Sequence, residues 1–170
     1  LNAAGSISDN DDKAEALRDI ALELAKAGQL DKAVTVAGSI TRDYSKASAL
    51  RDIAVELAKA GQLDKAVDVA GSISYDFYKA EALSKIASEL AKAGQFDKAL
   101  NVAGFIYDNS YKALTLNFIA SELAKAGQTQ KALLIFDKAV NAAGSISDDS
   151  EKAEALKDIA VELAKAGQTQ

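Results

Sequence analysis

The chain of 170 residues contains no cysteine, histidine, proline, methionine or tryptophan. Each absence removes a class of chemistry. Without cysteine and histidine there is no zinc site of the usual kind, no haem attachment, no disulfide, and no Ser-His-Asp or Cys-His nucleophile. Aromatic residues make up only 6% of the chain, against 49% apolar residues. A core must therefore be built mainly from Ala, Leu, Ile and Val in close packing. No run of 18 apolar residues occurs, so no membrane-spanning helix is expected. The net charge of −5 disfavours wholesale binding to nucleic acid or to an anionic membrane. The missing cysteine fits a reducing compartment and favours a cytoplasmic location.

What is present is a repeat. The string LAKAGQ begins at Leu24, Leu57, Leu90, Leu123 and Leu163; the first three intervals are 33 residues and the last is 40. All ten glycines fall into two columns of this repeat. One column is Gly28, Gly61, Gly94, Gly127 and Gly167, and the other is Gly5, Gly38, Gly71, Gly104 and Gly144. None is left over for a phosphate-cradling loop.

Each unit reads as two helices. In the first, Ala47, Leu50, Ile53, Ala54 and Leu57 recur at spacings of three and four and so share one face. Asp and Ser cluster ahead of it as N-cap material, and Gly61 follows its last turn, where a left-handed cap needs a residue without Cβ. The second helix runs from Leu63 to Ile73, with Leu63, Ala66, Val67, Ala70 and Ile73 inward. Gly71 within it marks either a close helix approach or an early helix end. This spacing predicts first helices over 11–27, 44–60, 77–93, 109–126 and 149–166, and second helices over 30–40, 63–73, 96–106 and 129–146. The last of these holds seven extra residues, two helical turns or about 10 Å, which lengthens the helix without turning its face.

A lone hairpin cannot bury its apolar face, whereas stacked neighbours can. The expectation is an all-α, right-handed solenoid of antiparallel helix-turn-helix repeats forming one domain over 1–170. Its units are about 11–43, 44–76, 77–108, 109–148 and 149–170, with 1–8 a partial helix.

The pattern resembles the tetratricopeptide repeat (TPR) superfamily. That family carries a small residue in the middle of the first helix, a large one three later, glycine at the turn, then alanine and an aromatic in the second helix. Here the small residue is Ala21, Ala54, Ala87, Ala120 or Ala160, and the large one is Leu24, Leu57, Leu90, Leu123 or Leu163. The second-helix alanines are Ala33, Ala66, Ala99 and Ala132, and the match is best in the fourth unit, where Phe136 and Ala139 also fit. The other units place Ala37, Ala70 and Ala103 where the family prefers an aromatic, and the closing proline is missing. The segment GQLDKA also looks slightly like pentatricopeptide repeats, which bind RNA, but the acidic balance argues against that function.

In the resembled family the first helices line a concave groove that holds peptides. The resemblance implies that the groove-facing columns here are Arg18, Leu22 and Lys26; Arg51, Val55 and Lys59; Ser84, Ser88 and Lys92; Asn117, Ser121 and Lys125; and Lys157, Val161 and Lys165. Such a groove is basic at both ends, neutral in the middle, and suited to an extended peptide with acidic groups. The plainer reading is that each lysine pairs with Glu23, Glu56, Glu89, Glu122 or Glu162 three residues earlier, and that the apolar members pack on a neighbouring helix.

A second candidate surface is aromatic. Tyr44, Tyr75, Phe77, Tyr78, Phe105, Tyr107 and Tyr111 sit at the junctions between a second helix and the next first helix. They suit interface anchors or, alternatively, a cover over apolar surface. The string Asp9-Asn10-Asp11-Asp12 lacks the spacing of a calcium loop and fits helix capping better.

No cofactor or metal is expected, and almost every charged residue belongs to a repeated column, so no unique catalytic constellation stands out. The expected function is a non-catalytic protein-interaction scaffold. The alternative is a structural, self-assembling or engineered repeat protein stacking head-to-tail, because residues 1–29 match 140–168 at a constant offset of 139. The partner is then a protein or peptide, or a second copy, and neither nucleic acid nor membrane.

Overall fold

A computed structural model describes residues 7–167. Among these residues the regular elements are nine helices and no strand. They are α1 (Asn10–Lys26), α2 (Leu30–Gly38), α3 (Asp43–Lys59), α4 (Leu63–Gly71), α5 (Asp76–Lys92), α6 (Phe96–Gly104), α7 (Asn109–Lys125), α8 (Thr129–Gly144) and α9 (Asp149–Gly167). The partial helix expected over 1–8 falls on residues of which 1–6 lie outside the described region; Ile7 and Ser8 are not helical.

The long helices start within a residue of the expected points because an Asp or Asn opens the first turn. Asp9 caps α1 by accepting the Asp11 and Asp12 N–H groups at 2.8 and 3.1 Å. Asp108 accepts from Tyr111 N–H at 2.9 Å, and Asp148 from Glu151 N–H at 2.9 Å. The acidic string at residues 9–12 is thus cap material.

The turns within hairpins repeat one geometry. Gly28, Gly61, Gly94 and Gly127 have φ between 73° and 76°. In the first, Gln29 N–H bonds Leu24 C=O at 2.8 Å and Gly28 N–H bonds Ala25 C=O at 3.0 Å, the paired bonds of a Schellman cap. Gln62, Gln95 and Gln128 repeat it on Leu57, Leu90 and Leu123. The same glutamine opens the next helix, since Ala33 N–H bonds Gln29 C=O at 2.9 Å. Gly167 differs: it is the last helical residue of α9.

The second helices end two residues earlier than the periodicity suggests, at the glycine itself. After Gly38 the chain tightens: Ser39 and Ile40 N–H groups bond the carbonyls three residues back, at 3.1 Å each. A Cβ on Gly38, Gly71, Gly104 or Gly144 would meet nothing within 4 Å. Close helix approach is therefore not what these glycines serve; they mark the helix end. The isoleucine two residues on (Ile40, Ile73, Ile106, Ile146) is buried and anchors the exit.

Packing divides the chain into two compact units, Leu1–Ala82 and Leu83–Gln170, with the boundary inside α5. In the first unit α1 packs on α2 and α3, and α3 on α2 and α4. In the second, α7 packs on α6, α8 and α9, and α8 on α9. Alanine makes these contacts tight: Ala21, Ala54, Ala87 and Ala120 are fully buried, as are Ala33, Ala66, Ala99 and Ala132. Helix α3 buries a second strip that α1 leaves more open, through Ser48, Ala49 and Ala58; α7 does so through Thr115, Asn117 and Ser121. In α9 the residues matching Leu50, Ala54 and Leu57 are Leu156, Ala160 and Leu163. Ala160 is exposed and the two leucines are half-buried.

Candidate interaction surface

The five columns chosen from sequence are not equally open. Their C-terminal lysines are exposed, and each lies against the glutamate three residues earlier. The distances are 2.8 Å for Lys26–Glu23, Lys59–Glu56 and Lys92–Glu89, 2.7 Å for Lys125–Glu122 and 2.6 Å for Lys165–Glu162. The Glu23 carboxylate raises the Lys26 pKa above its ordinary value, and Glu122 does the same for Lys125. Lys165 holds Glu162 below the usual carboxylate value, helped by a 3.2 Å bond from the Ser121 hydroxyl. The lysine row is therefore a row of ion pairs, each worth little because the ammonium end faces solvent.

The middle of the columns is buried rather than open. Ser84, Asn117 and Ser121 are all less than a tenth exposed. They lie in the second strip of their helices, where small polar residues let a neighbouring helix come close. Leu22, Val55 and Ser88 are half-buried, whereas Val161 and Lys157 are exposed.

In the first unit this position is charged. Arg51 bonds Asp52 at 2.6 Å and Glu81 at 2.9 Å, and its guanidinium lies 5.1 Å from the Tyr78 ring centre. Its side chain is only 22% exposed, so it is an internal strut rather than a groove cation. Arg18, one repeat earlier, reaches Asp19 at 3.6 Å, but its Nε is buried without a partner. Ser48 stands where Glu81 stands for Arg51, one repeat earlier in the pattern, which accounts for the difference.

In the second unit the same position is neutral. Ser84 and Thr115 hydroxyls are 2.7 Å apart, and Thr115 also donates to the Tyr111 carbonyl at 2.6 Å. Ser121 donates to the Asn117 carbonyl at 3.0 Å, while Asn117 Oδ1 is buried with no hydrogen-bond partner. Thr115, fully buried, was not singled out by pattern reading. The available signal is that it replaces alanine in a column otherwise Ala16, Ala49, Ala82 and Ala155.

Of the aromatic candidates, four are brought together in the first unit. Tyr78 lies at the centre, 5.3 Å from Tyr44, 6.5 Å from Tyr75 and 5.5 Å from Phe77 between ring centres, all edge-on. Tyr78 is buried, while Tyr44, Tyr75 and Phe77 are exposed. Phe105 and Tyr107, in the second unit, are also exposed, Tyr107 at 88%; Tyr111 is half-buried.

Among the described residues no group of three acidic side chains is placed to hold a metal ion, and no helix is long and apolar enough to cross a membrane.

No protein-family model and no curated protein sequence matches the chain. Among solved structures, the crystal structure of Ton1535 from Thermococcus onnurineus NA1 is similar to it at 24% identity and a TM-score of 0.43. That match covers 91% of this chain, and the chain spans 48% of the length of that one.

Proposed function

We propose that the chain is a single TPR-like solenoid with a 33-residue period, and that it serves as a non-catalytic protein-interaction scaffold for a peptide or helix segment. The observation that carries this reading is the exposed aromatic cluster. Tyr44, Tyr75 and Phe77 are held edge-on against the buried Tyr78, which Arg51 supports from beneath. Rigid aromatics with low conformational entropy are the residue types that anchor interfaces, and a braced base reduces what is lost on binding. In the first unit the half-buried Leu22 and Val55 extend the candidate surface along the first helices.

The test is a random-peptide display selection on the folded chain, followed by binding of the selected peptides to Tyr44→Ala/Phe77→Ala and to Lys59→Glu. Both variants change exposed side chains. Peptides that bind both variants as well as the parent would sink the reading.

A second reading has its own observation. Ala160 of α9 is exposed and Leu156 and Leu163 are half-buried, where their counterparts Ala54, Leu50 and Leu57 are buried. Head-to-tail self-association would cover them. Light scattering over a concentration series decides: a strict monomer at the highest concentration removes this alternative.

A further inference from the structure

The seven residues that break the repeat do more than lengthen α8. They place Lys138, Asn141 and Ala142 against the end of α6 and the start of α7, around an open cleft of about 440 Å³. Its floor is apolar, formed by Leu100, Leu116 and Ala142, and its rim carries Lys112 and Lys138 with the amides of Asn109 and Asn141. This combination of an apolar base and a few convergent polar groups is what small-molecule sites share.

Three features give the cleft a sign. First, among the described residues neither the Lys112 nor the Lys138 ammonium has an ion-pair partner. Second, the residue three before Lys112 is Asn109, whereas Asp149 in the same position lies 3.9 Å from Lys152. Helix α7 has no acid in its first turn, unlike α1, α3, α5 and α9. Third, the carboxylate beside the rim is committed: Asp108 caps α7 through the Tyr111 N–H. Asn109 donates one amide hydrogen to the Ser145 carbonyl at 3.1 Å, which fixes its side chain and leaves a second hydrogen. The first unit holds a contrasting cleft of about 310 Å³, lined by Leu30, Val34 and Val69, whose one lysine, Lys65, lies 3.7 Å from Asp31.

We propose that the cleft among α6, α7 and α8 is a binding site for a small organic carboxylate. The carboxylate sits between Lys112 and Lys138 and accepts from the Asn141 amide, while a short apolar body lies on Leu100 and Leu116. The paired ammonium groups supply charge-assisted bonds, and the floor adds burial of a few methylenes.

The experiment is a titration of the full ¹⁵N-labelled chain with hexanoate, followed by amide chemical shifts, with acetate, inorganic phosphate and hexylamine as parallel probes. Hexanoate is expected to give saturable shifts around Asn109, Leu116 and 138–145. Acetate is expected to bind more weakly, and hexylamine not at all. Lys138→Glu and Lys112→Gln are each expected to weaken hexanoate by about tenfold or more. Lys138 is exposed on α8 and Lys112 half-buried on α7, so unchanged shifts elsewhere confirm the fold of each variant. Unsaturable hexanoate shifts, or shifts that survive both substitutions, overturn the proposal. So does a phosphate response as strong as that to hexanoate, because the apolar floor would then play no part.

Discussion

Arg51 and Ser84 occupy the same place in successive hairpins and solve the same packing problem in opposite ways. Both sit on the second buried strip of a first helix. Arg51 fills it with a guanidinium that needs Asp52, Glu81 and the Tyr78 ring to be tolerable there. Ser84 fills it with a hydroxyl that needs only Thr115. The difference traces to one column. Glu81 stands 30 residues beyond Arg51, on the next first helix, but Leu114 stands in the same relation to Ser84. A buried charge is supportable only where its partner is also encoded, so two changes must arrive together. Arg18 shows the intermediate case, a cation whose partner column holds Ser48 and whose Nε goes unmatched.

The largest expected effect comes from forcing the first solution onto the second unit. Ser84→Arg places a guanidinium at a site 6% exposed with Leu114 in the partner column. A loss of about 3 kcal/mol in urea unfolding is expected. Adding Leu114→Glu should recover about 1 kcal/mol or more; no recovery in the double variant would break the partner-column argument. Next is Glu81→Ala, which leaves Arg51 with Asp52 as its one carboxylate beside the Tyr78 ring and the Ser48 hydroxyl. The pair is about one-fifth exposed, so about 1–2 kcal/mol is expected, read from the urea midpoint. Unaltered stability would mean the strut is decorative.

Asn117→Leu runs the other way. It removes an amide oxygen that is buried without a partner and keeps the side-chain volume close. A gain of up to about 1 kcal/mol is expected, and a clear loss would show that the oxygen is satisfied in solution. The smallest effect is with pH. Glu162 has a folded pKa lowered from its ordinary 4.5, first by Lys165. A carboxylate with a depressed folded pKa contributes stability above its unfolded pKa. That contribution is lost as pH falls through the folded value. The Lys165 ammonium is 65% exposed and screened by solvent, so the contribution is about a few tenths of a kcal/mol. Lys165→Gln should move the Glu162 midpoint upward in a carboxyl NMR titration, and an unmoved midpoint would assign the shift elsewhere.

Much of the architecture is legible in the letters because the repeat states it several times. The five first helices and four second helices start within a residue of where the apolar spacing places them, and three of the first helices do so under an aspartate cap. The glycine columns were half legible. Gly28 and its counterparts are turn residues by position and by need, since a left-handed φ is required there. Gly38 and its counterparts offered two explanations, and only the empty space around them separates these. The surface was less legible. A helical wheel places Ser84, Asn117 and Ser121 on the face away from the hairpin's own partner. Whether that face meets water or another helix depends on neighbours that a single repeat does not name. For the same reason nothing in the spacing marks Thr115, two residues before Asn117 of that column. The cleft beside α8 was hidden because its residues belong to three helices, and only the overhang of α8 brings them together.

The four Gly-Gln joints agree to within 3° in φ and repeat the same two closing bonds. Individuality therefore resides in the side chains and not in the joints. A hairpin cut out at one joint and spliced in at another should meet a connection of the same shape. The chain is in this sense a set of interchangeable cassettes. What limits shuffling them is whether an Arg arrives beside its Glu.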